Sequence, residues 1–141
     1  MKKFLLVLIT LSIIFVFTTS CTLAPKVPSE GIFYNNELKM AIEFGESNDI
    51  VHSYDEKLSQ MDLQIRNWID GCFEIVWDNG GEDVVYIYTG WRKYTSKDKF
   101  VIVLFAKANP EDDFKTQIEF DDVEYIFTRI ESYAEIGEIN E

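Results

Sequence analysis

Along most of the strand-like segments between Leu38 and Ile130 apolar residues recur at every second position, and that period does most to limit what this chain can fold into. Leu38, Met40, Ile42 and Phe44 alternate with Lys39, Ala41 and Glu43; Met61, Leu63 and Ile65 alternate with Asp62, Gln64 and Arg66. A two-residue period places one set of side chains on each face of a pleated strand, whereas a helix needs a period near 3.6. Asp70-Gly71 then reads as a type I′ hairpin turn, because glycine and aspartate tolerate the positive φ angles such a turn demands. Phe73, Ile75 and Trp77 continue the alternation, and Asn79-Gly80-Gly81 turns the chain into "DVVYIYTGW". "FVIVLFA" (Phe100 to Ala106) is apolar on both faces, as an enclosed central strand is. Phe114, Thr116, Ile118 and Phe120 form a further strand, expected to turn at Asp121-Asp122 into "VEYIFTRI".

Successive strands joined by tight turns describe an antiparallel meander of about eight strands. That count includes a short strand at Gly31–Tyr34 and leaves Ile50–Tyr54 unassigned. The expectation is an all-β domain, closed into a small barrel or a strongly coiled sheet, because closure removes unpaired edges. Helix is expected only as a short turn within Glu131–Glu141.

The N-terminus has a different character. Lys2 and Lys3 precede a run from Phe4 to Phe17 that only Thr10 and Ser12 interrupt. A charged start and an apolar run of this length fit a secretory signal and fall short of the ~20 residues of a spanning helix. Small residues follow, and then Cys21. Thr18-Thr19-Ser20-Cys21 resembles the lipobox of bacterial lipoproteins, in which Leu, Ala/Ser/Thr and Gly/Ala/Ser precede the cysteine; Thr18 stands where Leu is commonest. The resemblance, typical of small Gram-positive lipoproteins, implies acylation of the Cys21 sulfur and cleavage after Ser20. It also implies retention at the outer face of the cytoplasmic membrane. Two acyl chains are enough for stable anchoring. The expected organisation is a signal peptide at 1–20, a lipidated cysteine and tether at 21–30, and one all-β domain at 31–141.

A second resemblance concerns the two ends of that domain. Gly31-Ile32-Phe33 and Arg129 in "FTRI" resemble lipocalin-like (calycin) barrels, where Gly-x-Trp on the first strand meets an Arg from the last. Phe33 replaces the Trp. The resemblance implies an Arg129 guanidinium stacked on the Phe33 ring at the base of a barrel.

Loss of Lys2 and Lys3 with the signal leaves 11 of the 13 basic residues against all 25 acidic ones. Nucleic acid needs a positive footprint and is not an expected partner. Apart from Cys21 the only cysteine is Cys72, so the domain is held by packing and not by a disulfide. The single histidine, His52, has Ser53 and Asp55 beside it, but neighbours on one strand or loop rarely supply triad geometry, and no catalytic residue is assigned. "DNGGED" (Asp78 to Asp83) and "PEDD" (Pro110 to Asp113) are acidic turns, the first without the ligand spacing of a calcium loop, and one histidine with one free thiol makes no zinc site. Neither metal nor cofactor is expected.

Two groups of residues remain. Trp68, Trp77, Tyr86, Tyr88 and Trp91 lie on neighbouring strands and either line a pocket for a small apolar or aromatic ligand or fill a solid interior. "GWRKYTSKDK" gathers Arg92, Lys93, Lys97 and Lys99 beside Trp91 and Tyr94, a local reversal of sign in an acidic chain. It suits an anionic ligand, anionic lipid headgroups, or pairing with surface acids. Trp77, Tyr86, Tyr88, Trp91, Arg92, Lys93 and Tyr94 are therefore the candidate contacts for a ligand or an envelope partner. The functional expectation is a membrane-anchored binding module, with a solid-core protein-interaction module for a cationic partner as the alternative.

Overall fold

A computed structural model describes residues 25–67, 70–81 and 83–139. Cys21, Trp68 and Glu82 lie outside the described residues. Eight strands form a single antiparallel sheet that curls into a nearly closed barrel: β1 (Gly31–Asn35), β2 (Met40–Phe44), β3 (Ile50–Ser53), β4 (Leu63–Asn67), β5 (Cys72–Trp77), β6 (Val85–Thr95), β7 (Lys99–Ala108) and β8 (Gln117–Ile130). The strand order β3-β2-β1-β8-β7-β6-β5-β4 departs from a plain meander only where β1 pairs with β8. The end strands β3 and β4 approach each other without a shared ladder, which leaves one open seam among the described residues. A helix, α1 (Ala134–Ile139), follows β8.

The alternation in the sequence becomes an inside and an outside. Phe33, Met40, Ile42, Phe73, Ile75, Phe100, Ile102, Leu104 and Phe127 are fully buried and fill the interior. Four edge-on or tilted ring contacts knit it together: Phe33–Phe44 at 5.9 Å, Phe44–Phe100 at 5.5 Å, Phe73–Phe100 at 5.5 Å and Phe100–Phe127 at 6.0 Å between centroids. These are the offsets that the ring quadrupole favours. A smaller cluster lies on the outer wall, where Ile136 of α1 packs on Tyr34, Ala41 and Ile130. β7 is enclosed as its sequence requires: it lies between β6 and β8, and Val101 and Val103 on its outer face are buried along with the inner row.

Three local expectations are corrected. Asp121-Asp122 make no turn, because 117–119 and 123–128 pair with the same strand, β7, and a register shift opposite Leu104/Ala106 absorbs the two aspartates as an irregularity in β8. Ile50–Ser53, unassigned from sequence, is a strand paired with β2. Asp70-Gly71 is not a two-residue hairpin: the described β4–β5 pairs run to Asn67↔Phe73, a register centred on residue 70 and not between 70 and 71, and of the two residues only Gly71 has a positive φ, 95°. Asp70 instead accepts a hydrogen bond from the Cys72 amide at 3.1 Å. The tether also begins to fold earlier than residue 31, since Val27 packs against the main core and Pro28 is buried.

One end of the barrel, here the base, holds the start of β1 and the β6–β7 hairpin. Gly31, at φ 109°, lies under the Arg129 guanidinium so closely that a Cβ there would come within 2.9 Å of Cζ. Arg129 Cζ stands 6.0 Å from the Phe33 ring centroid, and Phe33 and Arg129 are register partners. Nη1 donates to the Lys97 carbonyl at 3.4 Å. The contact expected between the two ends of the domain is therefore formed, at the outer limit of cation–π range.

Candidate functional site

The opposite end, the mouth, is where strands β6, β7 and β8 run past the packed interior. Register places Tyr88, Lys107 and Ile118 side by side across the three strands. The β1–β2 turn and the β3–β4 loop lie across from them. Asn35 fixes the turn: its Oδ1 accepts from the Leu38 amide at 2.8 Å and its Nδ2 donates to the Ile126 carbonyl at 2.9 Å. A buried amide with both of its faces bonded holds a turn far better than an exposed one. Asp55 fixes the loop, its carboxylate accepting from the amides of Lys57 at 2.9 Å and Leu58 at 3.3 Å. The Lys57 ammonium ties the loop to the Pro110 carbonyl at 3.1 Å.

Two clefts result, and they share Tyr88 and Lys107. One, of about 330 Å³, is lined by Asp55, Leu58, Tyr88, Lys107, Pro110 and Phe114. The other, of about 460 Å³, is lined by Glu37, Leu38, Tyr88, Lys107, Phe120 and Tyr125. Apolar floor and a few polar tips is the make-up of a small-molecule site. Burial, with Asp55 and then Tyr125 adding to it, pushes the Tyr88 hydroxyl up to about 12. Tyr88 therefore presents a phenol proton as a donor throughout the neutral range. Tyr125 is raised in the same direction by burial and by Glu37.

The connection between β7 and β8 is the most strained part of the rim. A 3₁₀ turn, Pro110–Asp112, is capped by Asn109, which accepts from the Glu111 amide at 3.0 Å. Asp113 and Phe114 then both take left-handed conformations, at φ 58° and 63°. For a residue as bulky as Phe this backbone is unfavourable by ~1 kcal/mol or more, and such outliers concentrate at ligand-contacting segments. The aromatic ring of Phe114 packs on the core and faces the smaller cleft.

The residues singled out from sequence separate into three places. Tyr88 lies between the two clefts. Trp77, at the end of β5, is half-buried against the main core, and Tyr86 is exposed beside it on β6, its carbonyl accepting from Gln117 Nε2 at 2.7 Å. Trp91, Lys93 and Tyr94 lie on the outer wall, away from both clefts; Trp91 stacks on Phe105 at 4.5 Å and Lys93 pairs with Glu124. Arg92 is half-buried, and its amide donates to the Gly71 carbonyl at 2.9 Å. The sequence thus grouped residues that the fold divides between a mouth and a wall. Phe114, Phe120, Tyr125, Lys107 and Asp55 were missed as mouth residues. The one signal that could have found Phe114 is its place directly after "PEDD", an apolar residue where a turn should be polar.

The His52, Ser53 and Asp55 letters do not converge on one another. The His52 ring packs edge-on against Tyr133 at 5.1 Å, Ser53 Oγ accepts from the Asp55 amide at 3.2 Å, and the Asp55 carboxylate is engaged in its own loop. The Asp112 carboxylate accepts from the Thr116 hydroxyl and also from the Lys115 amide, which holds it below the usual carboxylate range. Among the described residues no group of three metal-ligating side chains is placed to hold an ion. Burial, reinforced by Glu74 and Asp70, pushes the half-buried Cys72 thiol up, away from the reactive thiolate.

Comparison of this chain with known protein families, curated proteins and solved structures finds no match.

Proposed function

We propose that this protein is a lipid-anchored, extracytoplasmic β-barrel that binds a small apolar or aromatic molecule at its mouth. The observation that carries the reading is the pair of adjoining clefts on either side of Tyr88, at one end of a barrel whose interior is filled by phenylalanines. The ligand sits on the barrel and not inside it. Acidic residues dominate the surrounding rim, with Glu111, Asp112, Asp113, Glu119, Asp121 and Asp122 following one another around the β7–β8 connection. An anionic ligand or nucleic acid is disfavoured there, and a neutral or cationic aromatic is favoured. The Gly31–Phe33–Arg129 contact supports kinship with lipocalin-like barrels, and the apolar run before Cys21 supports the anchor.

N-phenyl-1-naphthylamine, a neutral aromatic whose fluorescence rises in apolar surroundings, tests the site. We expect the full chain to enhance it, Tyr88→Ala to weaken binding about tenfold or more, and Trp91→Ala to leave it unchanged. No enhancement, or equal binding by Tyr88→Ala, removes the mouth as the site. The same acidic rim also suits a cationic protein partner, and that reading gains if the probe fails.

The anchor is tested separately. Cys21→Ser is expected to shift the protein from the membrane fraction and to abolish incorporation of a radiolabelled fatty acid. Unchanged fractionation and labelling would sink the lipobox reading.

A further inference from the structure

We propose that the outer wall of β6–β8 toward the base docks on an anionic lipid bilayer, through Trp91, Tyr94 and Ile126 with Lys93, Lys97 and Lys99. This rests on the membrane-anchor reading but concerns a different face from the ligand site. Register builds the patch from two adjacent cross-strand rows: Tyr94↔Val101↔Ile126 and Trp91↔Val103↔Glu124. Val101 and Val103 form its buried floor, while Tyr94, Ile126 and Trp91 are 54%, 48% and 45% exposed. Large aromatic side chains with a polar edge are costly to leave in water and settle at the level of lipid headgroups.

Charge points to the same occupant. Lys97 and Lys99 flank the β6–β7 hairpin, and Lys93 stands on the wall itself with Glu124. Across the whole patch three lysines face Asp98 and Glu124. Glu111, Asp112 and Asp113 lie instead at the mouth, on the connection between the far ends of β7 and β8, and Glu119, Asp121 and Asp122 follow in the adjoining part of β8, up to the irregularity opposite Leu104/Ala106. An anionic surface attracts the lysines and repels the mouth, so the field turns the ligand site toward the medium.

Chain geometry completes the argument. Gly31 lies under Arg129, whose Nη1 bonds the Lys97 carbonyl, so β1 enters the barrel beside the basic hairpin. Because Val27 already packs on the core, only six peptide steps separate it from Cys21. Fully extended, that is ~20 Å. An anchor on so short a leash holds the base at the lipid surface, where even a weak patch binds as an intramolecular event at an effective concentration on the order of mM.

The test couples the full chain carrying Cys72→Ser through Cys21 to a maleimide lipid in vesicles, so that anchoring does not depend on acylation by the cell. A membrane-impermeant amine reagent is then read out lysine by lysine by mass spectrometry. On phosphatidylcholine vesicles with about a third phosphatidylglycerol, Lys97 and Lys99 are expected to react about fivefold more slowly than on phosphatidylcholine alone. Lys39, Lys57 and Lys115 at the mouth are expected to react equally on both. Protection should vanish at about 0.5 M salt, and in a Trp91→Ala/Tyr94→Ala variant. Equal reactivity of Lys97 and Lys99 on the two vesicles, or protection of the mouth lysines instead, overturns the docking proposal. Failure of acylation in cells would show only in the Cys21→Ser fractionation.

Discussion

Replacing Gly90 by alanine is expected to unfold the barrel at temperatures where the natural chain is folded. Gly90 lies on β6 opposite Leu104, beside a register shift between Thr89 and Gly90. An added Cβ would stand 2.0 Å from the Val103 carbonyl oxygen and 2.9 Å from Leu104 Cα. Both are backbone atoms, so no rotamer change relieves the overlap; β6 and β7 must separate and lose ladder hydrogen bonds. Overpacking of this kind is expected to destabilise by ~3 kcal/mol or more. For a domain of about 110 residues that lowers the melting temperature by ~15 °C. Gly45→Ala serves as the control, since the only heavy atom near its Cβ is at 3.8 Å and its φ is not positive. Thermal melts followed by circular dichroism decide the matter. If Gly90→Ala melts within a few degrees of the natural chain while Gly45→Ala does too, the close approach of β6 and β7 is wrong.

Phe100→Ala should cost nearly as much by the opposite route, by leaving a hole. Phe100 is fully buried and is the ring that touches Phe44, Phe73 and Phe127 together. Its removal strips contacts from both halves of the barrel wall, and the surrounding strands are hydrogen-bonded in fixed register and cannot collapse inward. A loss of ~3–5 kcal/mol is expected, a large part of the 5–15 kcal/mol that a domain of this size typically has. In urea titrations the midpoint should fall with the slope unchanged. Phe105→Ala makes the contrast, because Phe105 is half-buried outside the main core and its ring contact with Trp91 is worth ~1 kcal/mol. Equal shifts for the two variants would mean that the interior is not packed around Phe100.

These two variants also mark what could be read in advance. Phe100 stands out in "FVIVLFA" as part of a run apolar on both faces, and the enclosed position of β7 follows from it. Gly90 does not stand out: a glycine inside a strand pattern signals some close approach, but which atom it makes room for depends on a bulge that two strands form together. The same limit applies to Asp121-Asp122. A pair of aspartates between apolar runs has the composition of a turn, yet the chain on both sides of it pairs with β7, and pairing outweighs local preference. Ile50–Ser53 is only four residues long, set between polar loops, and becomes a strand because β2 offers an edge.

The site divides in the same way. Tyr88 was identified in the sequence among a row of aromatics, but its neighbours across the mouth, Asp55, Phe114 and Tyr125, come from loops and strands 26 to 37 residues away in the chain. Trp91 and Tyr94, three and six residues after it, end on the outer wall. A strand alternates its faces and a bulge shifts that alternation, so adjacency in sequence says little about which side a residue serves.

By itself, then, the sequence determined the all-β class and the enclosed position of β7, because period-two patterning and a run apolar on both faces are local properties; the Arg129–Phe33 contact was expected only through a resemblance to other barrels. Only the tertiary structure decided that β1 pairs with β8, that the aromatics split between mouth and wall, and that the basic hairpin lies where the chain enters the barrel. Those depend on register and closure, which bring together strands separated by most of the chain, and no local pattern encodes them.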